Sequence, residues 1–180
     1  PRAVTVALPA MPRSFDMATE YGATVEQVHR ALRDEQYWLA RLADSGADHA
    51  TLDSLTVDAD GGIDVETTQV LWSDRLPGFV SQLHRGDLSV KREETWSPLR
   101  DGTATVEVKG AIIGAPASLE GTGTLQPTDS GHTCRLDFQV TVEVRIPLLG
   151  GKLETLVGNQ LMELLIAEQR FTTNWIAANA

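Results

Sequence analysis

Between Cys134 and Ile146 apolar and polar residues alternate without a break. Cys134, Leu136, Phe138, Val140, Val142, Val144 and Ile146 fall on one side, and Arg135, Asp137, Gln139, Thr141, Glu143 and Arg145 on the other. A period of two is that of a strand with one buried face and one wet face. The pattern stops at Pro147, which has no amide hydrogen to continue a ladder, and Gly150-Gly151 permits a sharp turn. Beyond Gly151 the spacing becomes helical. At about 100° per residue, Leu153, Val157, Leu164, Phe171 and Trp175 lie along one line, flanked by Leu156, Leu161 and Ala167. A sheet with one apolar face must bury it. The expectation is a strand over 134–146 and a helix over about 152–176 folded back across it, with Phe171 buried and Thr173 on the far side. Met162 and Ile166 fall near the back of that helix, where they either pack against other helices or form a weak homodimer patch.

The chain upstream supplies the remaining parts. Ser14–Tyr21 alternates and reads as a half-buried strand. Thr24 followed by Gln27 forms a capping-box pattern, and Val25, Val28 and Leu32 then repeat at helical spacing. Asp34 caps a second short helix, "EQYWLARLA", which stops near Gly46. Three tight turns follow, at Asp60-Gly61-Gly62, Arg100-Asp101-Gly102 and Asp129-Ser130-Gly131, each flanked by strand patterns. Strands joined in order by tight turns pair antiparallel. The segment "LPGFVSQLHRG" reads as a connection, with or without a helical turn. The fold class is α+β.

The 180 residues fit one domain, read as 13–180, preceded by a loosely held extension over 1–12 in which Met11 is a candidate start. A net charge of −10 disfavours nucleic acid, whose phosphates need Lys and Arg, and disfavours anionic membrane surfaces. One cysteine, Cys134, allows no internal disulfide and fits a cytoplasmic setting. No apolar run approaches the ~18 residues of a membrane span.

The order of strand, two short helices, antiparallel strands and a long final helix resembles the helix-grip fold of the START-like superfamily, over roughly Arg13 to Ala178. That group includes polyketide cyclases and the birch-pollen-allergen-like plant proteins. The stretches "RSFDM", "VEQVHRALRDEQYW", "IPLLGGKLE" and "EQRFTTNWI" are similar more narrowly to an actinobacterial branch of unknown function. The superfamily resemblance implies a curved sheet wrapped round the final helix, with a cavity between them for an apolar molecule. It does not imply one activity, because members transport, bind, cyclise or activate a chaperone.

Motifs for other chemistry are missing. There is no G-x-S-x-G, and "LLGGKLE" fails the phosphate-loop pattern because Ile146 and Leu153 stand where Gly and Ser or Thr are required. His29, His49, His84 and His132 are scattered without metal spacing and read as surface or cap-side residues, and Cys134 reads as a buried inert thiol. No cofactor and no metal are expected. The informative strand is "LSVKREETW". If alternation holds, Leu88, Val90, Arg92, Glu94 and Trp96 share a face, and charges facing an apolar interior need a partner, a ligand or water. A one-residue slip would instead put Arg92 and Glu94 in solvent. On the helix, Gln160 and Glu168 flank the apolar line and are candidates to look inward. The candidate ligand site is therefore Arg92, Glu94 and Glu168 at a polar end, with Val90, Trp96, Phe138, Val140, Leu164 and Phe171 as walls. Arg92's planar fork would suit a carboxylate. The aromatics, Trp72 among them, read mainly as core. Gly110, Gly121 and Gly123 either mark bends in the sheet or leave room for a ligand. Two function classes follow: a non-enzymatic carrier of a lipid, fatty acid or polyketide-like molecule, or a cyclase, dehydratase or hydrolase acting on one. A third is a protein-interaction domain with its cavity filled.

Overall fold

The computed structural model describes residues 12–75, 85–146 and 150–180. All but the last residue of the expected 1–12 extension, most of "LPGFVSQLHRG" with His84, and Pro147 lie outside them. The elements are β1 (Arg13–Tyr21), α1 (Val25–Leu32), α2 (Glu35–Asp44), β2 (His49–Val57), β3 (Ile63–Leu71), a 3-10 turn (Ser73–Arg75), β4 (Leu88–Trp96), β5 (Ala104–Ile112), β6 (Ala117–Pro127), β7 (Cys134–Val144) and α3 (Gly150–Ala178). The seven strands form one antiparallel sheet in the order β1-β7-β6-β5-β4-β3-β2. With α3 laid along the sheet, this is the helix-grip arrangement.

Local chemistry accounts for the element ends. Thr24 Oγ1 accepts the Gln27 amide while Gln27 Oε1 accepts the Thr24 amide, a closed capping box that starts α1. Asp34 Oδ1 accepts the Gln36 amide and starts α2. The β4–β5 hairpin turns through Asp101 and Gly102, with φ of 52° and 75°, the left-handed pair its tight reversal requires.

The core has two parts. One lies where α1, α2 and the C-terminal end of α3 meet the sheet, and includes Val28, Tyr37, Trp38, Ile63, Leu125 and Leu136. The other lies under the first half of α3, where Met17, Val140, Val142 and Val144 meet Phe15, Leu153, Val157 and Leu161.

The seating of α3 differs from the apolar line. Its buried residues are Gly150, Glu154, Gly158, Thr172 and Ile176, whereas Leu153, Val157, Leu164, Phe171 and Trp175 are only half-buried. The helix is turned by about 100°, one residue step, from the face that apolar counting selects. The reason is close approach. The Phe15 ring occupies the space where a Cβ on residue 158 would stand, only 2.3 Å from the ring's Cζ. Glu154 Oε2 accepts the Val144 amide at 3.0 Å, at the end of β7. Thr173 is not on the far side: its hydroxyl accepts the Gly22 amide at 3.2 Å. Gln160 is exposed. Met162 packs against the second core group, and Ile166 is exposed.

Other expectations also change. His29 is buried, with Nε2 donating to the Ser97 carbonyl at 2.9 Å and tying α1 to the sheet, whereas His49 and His132 are exposed. Trp72 is 52% exposed and does not belong to the core. Gly121 and Gly123 accommodate the Phe138 ring, and Gly110 accommodates Leu119.

Candidate functional site

Between the sheet and α3 lies a cavity of about 130 Å³. Its walls come from β4 (Val90, Trp96), β5 (Val106, Val108), β7 (Leu136, Phe138, Val140) and α3 (Leu161, Leu164, Leu165), with Leu119 from β6. Alternation along β4 decides the register question: Lys91 and Glu93 are exposed, Arg92 is half-buried and Glu94 buried, so both candidate charges face inward. Of the nine candidate residues, Val90, Arg92, Glu94, Trp96, Phe138, Val140, Leu164 and Glu168 line this cavity. Phe171 does not. It lines an adjoining pocket of about 70 Å³, which shares Arg41, Gln69, Arg92, Leu164 and Glu168 with the first.

Those shared charges form a closed cluster. Arg92 grips Glu168 with both nitrogens of its fork, Nη1 to Oε1 at 2.6 Å and Nη2 to Oε2 at 3.0 Å. Nη2 also donates to Glu94 Oε1 at 3.0 Å. From α2, Arg41 Nη2 reaches Glu168 Oε1 at 2.7 Å, with its guanidinium 4.7 Å from the centre of the Trp38 ring. The Tyr37 hydroxyl bonds Thr172 Oγ1 at 2.7 Å, and Thr172 donates to the Glu168 carbonyl at 2.7 Å. The side chains of Arg41, Arg92, Glu168 and Glu94 are 12%, 19%, 16% and 6% exposed, so the pairs act in a largely water-free setting. Two cations meet two anions, and the cluster is electroneutral. Arg41, Arg92 and Glu168 line both pockets, and Glu94 lines the first alone.

Sequence alone does not place Arg41 at the site, and it counts Tyr37 among the core aromatics. A signal existed, since Tyr37, Trp38 and Arg41 share a helical face at spacings of three and four. An arginine at the edge of an apolar stripe usually turns its head to water, however, and only the position of Glu168 turns this one inward. Two donors have no acceptor among the described residues: the indole Nε1–H of Trp96 and the Nε–H of Arg92, both buried. No group of three or more His, Cys, Asp or Glu side chains among the described residues is placed to hold a metal ion.

Electrostatics follow the geometry. Burial would raise the Glu168 carboxyl, but the Arg41 and Arg92 guanidiniums beside it overcome that and bring it down to about 2. Burial likewise opposes the charge on Arg41 and Arg92, and Glu168 more than restores it, so both stay protonated. Burial pushes the Cys134 thiol up to about 12, which leaves it an inert thiol. It also lowers His29, which has one ring nitrogen on the Ser97 carbonyl and no acceptor for a proton on Nδ1. The sign for Glu168 is that of a depressed acid. Its stabilisation is complete above the unfolded value near 4.5 and is lost as pH falls from there towards 2. The expected loss is roughly 3 kcal/mol across that window. Denaturant unfolding of wild type and Glu168→Gln between pH 5 and pH 2 checks it. The variant should lose less stability over the window, and parallel curves would assign the acid sensitivity to other groups.

Residues 16–176 match the model of the family described as "Protein of unknown function (DUF2505)". An uncharacterized protein of Mycobacterium tuberculosis is 53% identical over 173 residues, covering 94% of this chain and 99% of its own. Among solved structures, the Zhui aromatase/cyclase from Streptomyces sp. R1128 superposes with a TM-score of 0.59 at 9% identity, covering 93% of this chain and 94% of its own. A START superfamily protein from Mycobacterium smegmatis superposes with a TM-score of 0.51 at 12% identity, covering 93% and 99%. At such identities the superpositions speak to the fold alone.

Proposed function

We propose that this chain, which belongs to the DUF2505 family, binds an apolar small molecule between its sheet and α3, as a carrier or sequestering protein. The observation that carries the reading is the cavity itself. Its walls are aliphatic and aromatic, and its few polar groups are gathered at one place. Affinity would come from apolar burial, at about 25 cal/mol per Å² removed from water, with the polar end fixing orientation. A volume of about 130 Å³ is near the ~150 Å³ of an engineered cavity that holds benzene. It suits one ring of a polyketide-like molecule. A fatty acid or lipid chain requires α3 to move away from the sheet. No helix among the described residues is long and apolar enough to cross a membrane. A cytoplasmic setting, consistent with the free buried Cys134, belongs to the same proposal.

One structural neighbour is an aromatase/cyclase, and catalysis is the competing reading. It requires a general acid or base that changes protonation near working pH. Glu168 is held ionised by two guanidiniums, and both arginines stay charged, so none of the three is poised for proton transfer. This favours binding over chemistry at these three groups.

The test is binding of toluene, an uncharged single-ring molecule matched to the cavity, by isothermal titration, together with native mass spectrometry of freshly purified protein. Wild type is expected to bind toluene saturably. Val108→Phe, which fills the cavity from β5, should lose it, and Leu99→Ala, on an exposed turn, should not. Absence of both toluene binding and any co-purified molecule would overturn the carrier reading.

A further inference from the structure

We infer that the cavity accepts uncharged ligands carrying an oxygen acceptor and rejects carboxylates of the same size. This rests on the binding reading above and narrows its ligand class. Among the residues lining the cavity, the charged side chains are Arg41 from α2, Arg92 and Glu94 from β4, and Glu168 from α3. They are already matched, two cations to two anions. Arg92's fork, the group best shaped for a ligand carboxylate, is filled by Glu168 and Glu94.

A carboxylate entering this set has two places to go. It can sit beside the cluster, at best on the unpaired Arg92 Nε–H or Trp96 N–H, which leaves a desolvated anion with no cation of its own. Or it can displace Glu168 or Glu94 from Arg92, which leaves that carboxylate unpaired in its stead. Either way one anion is buried without compensation, the arrangement that low-dielectric interiors penalise most. Ligand burial cannot escape this, because the acids are fixed on β4 and α3 rather than on mobile ends.

An uncharged molecule meets no such penalty, and the site has donors for it. The Trp96 indole N–H and the Arg92 Nε–H are buried without acceptors, and both residues line the cavity. A buried donor without a partner is costly, and a small side-chain shift would bring either one to a ligand carbonyl or hydroxyl oxygen. The chemistry recognised is thus a compact apolar body with one neutral oxygen.

Acetophenone and benzoate test this as a matched pair, one ring each, differing in charge at pH 7. Isothermal titration of wild type should give an affinity for acetophenone at least about tenfold above that for benzoate. Glu94→Gln and Glu168→Gln each leave one cation in excess. Either variant that circular dichroism shows folded should shift the ratio of the two affinities towards benzoate by about tenfold. A wild type that binds benzoate as tightly as acetophenone while binding toluene overturns the selectivity and leaves the carrier reading standing. A folded variant with an unchanged ratio overturns the role of the cluster. Binding of neither probe, with no toluene binding, overturns the carrier reading and the selectivity with it.

Discussion

Arg92→Met is expected to lower the free energy of unfolding by about 3–5 kcal/mol, the range for removing one partner of a buried ion pair. The size follows from what the substitution leaves behind. Arg92 makes three of the hydrogen bonds in the cluster, two to Glu168 and one to Glu94. Methionine fills much of the same volume, so packing is nearly kept and charge compensation is not. Glu168 retains Arg41 at 2.7 Å, but Glu94, whose side chain is 6% exposed, loses the guanidinium that holds it. The double variant Arg92→Met/Glu94→Gln removes that stranded charge, and it should be more stable than Arg92→Met alone. Urea unfolding of wild type, Arg92→Met, Glu94→Gln and the double variant gives the coupling directly. A loss below about 1 kcal/mol for Arg92→Met would put the cluster in the class of solvent-exposed pairs and contradict its burial.

How much of this arrangement is legible in the sequence depends on which period carries it. The strand from Cys134 and the final helix are plain because a period of two gives way to one of 3.6 at a proline, and both are present as β7 and α3. The inward turn of Arg92 and Glu94 is legible for the same reason. Strand alternation fixes the face of every residue once Val90 and Trp96 are taken as buried. The rotation of α3 is not legible in that way. Counting apolar residues assumes that the largest ones lie closest to the sheet. In α3 the closest positions are taken by Gly158, which admits Phe15, and by Glu154 and Thr172, which satisfy a backbone amide and a tyrosine hydroxyl. The partners of Gly158 and Thr172 lie more than 130 residues away, outside any local window, and the partner of Glu154 lies across the strand-to-helix turn, where neither period foretells the pairing. The same holds for Arg41, whose inward direction is set by Glu168 on another helix. Placing Phe171 in the main cavity fails with the rotation, which carries it to the adjoining pocket.

Trp38→Ala should cost about 3–5 kcal/mol, the range for emptying a large aromatic site in a core. Trp38 is 1% exposed, at the junction of α1 and α2. Its ring meets Tyr37 edge-on at 5.4 Å and carries the Arg41 guanidinium above its face at 4.7 Å. Its indole N–H donates to the Leu32 carbonyl at 2.8 Å, which satisfies an acceptor at the end of α1. Alanine therefore removes apolar contact, a hydrogen bond and the flat surface that orients Arg41. Trp38→Phe separates these contributions. It keeps a ring under Arg41 and loses the N–H, so it should cost roughly 1–3 kcal/mol, the penalty for a buried acceptor left unmade plus some lost volume. Leu39→Ala, one residue along and 43% exposed, should stay within about 0.5 kcal/mol of wild type. Guanidinium unfolding ranks the three. Trp38 also connects stability to the site, because Arg41 is the one cation of the cluster supplied by α2. If Trp38→Ala proves no worse than Leu39→Ala, α2 is not anchored as described, and the placement of Arg41 on Glu168 falls with it.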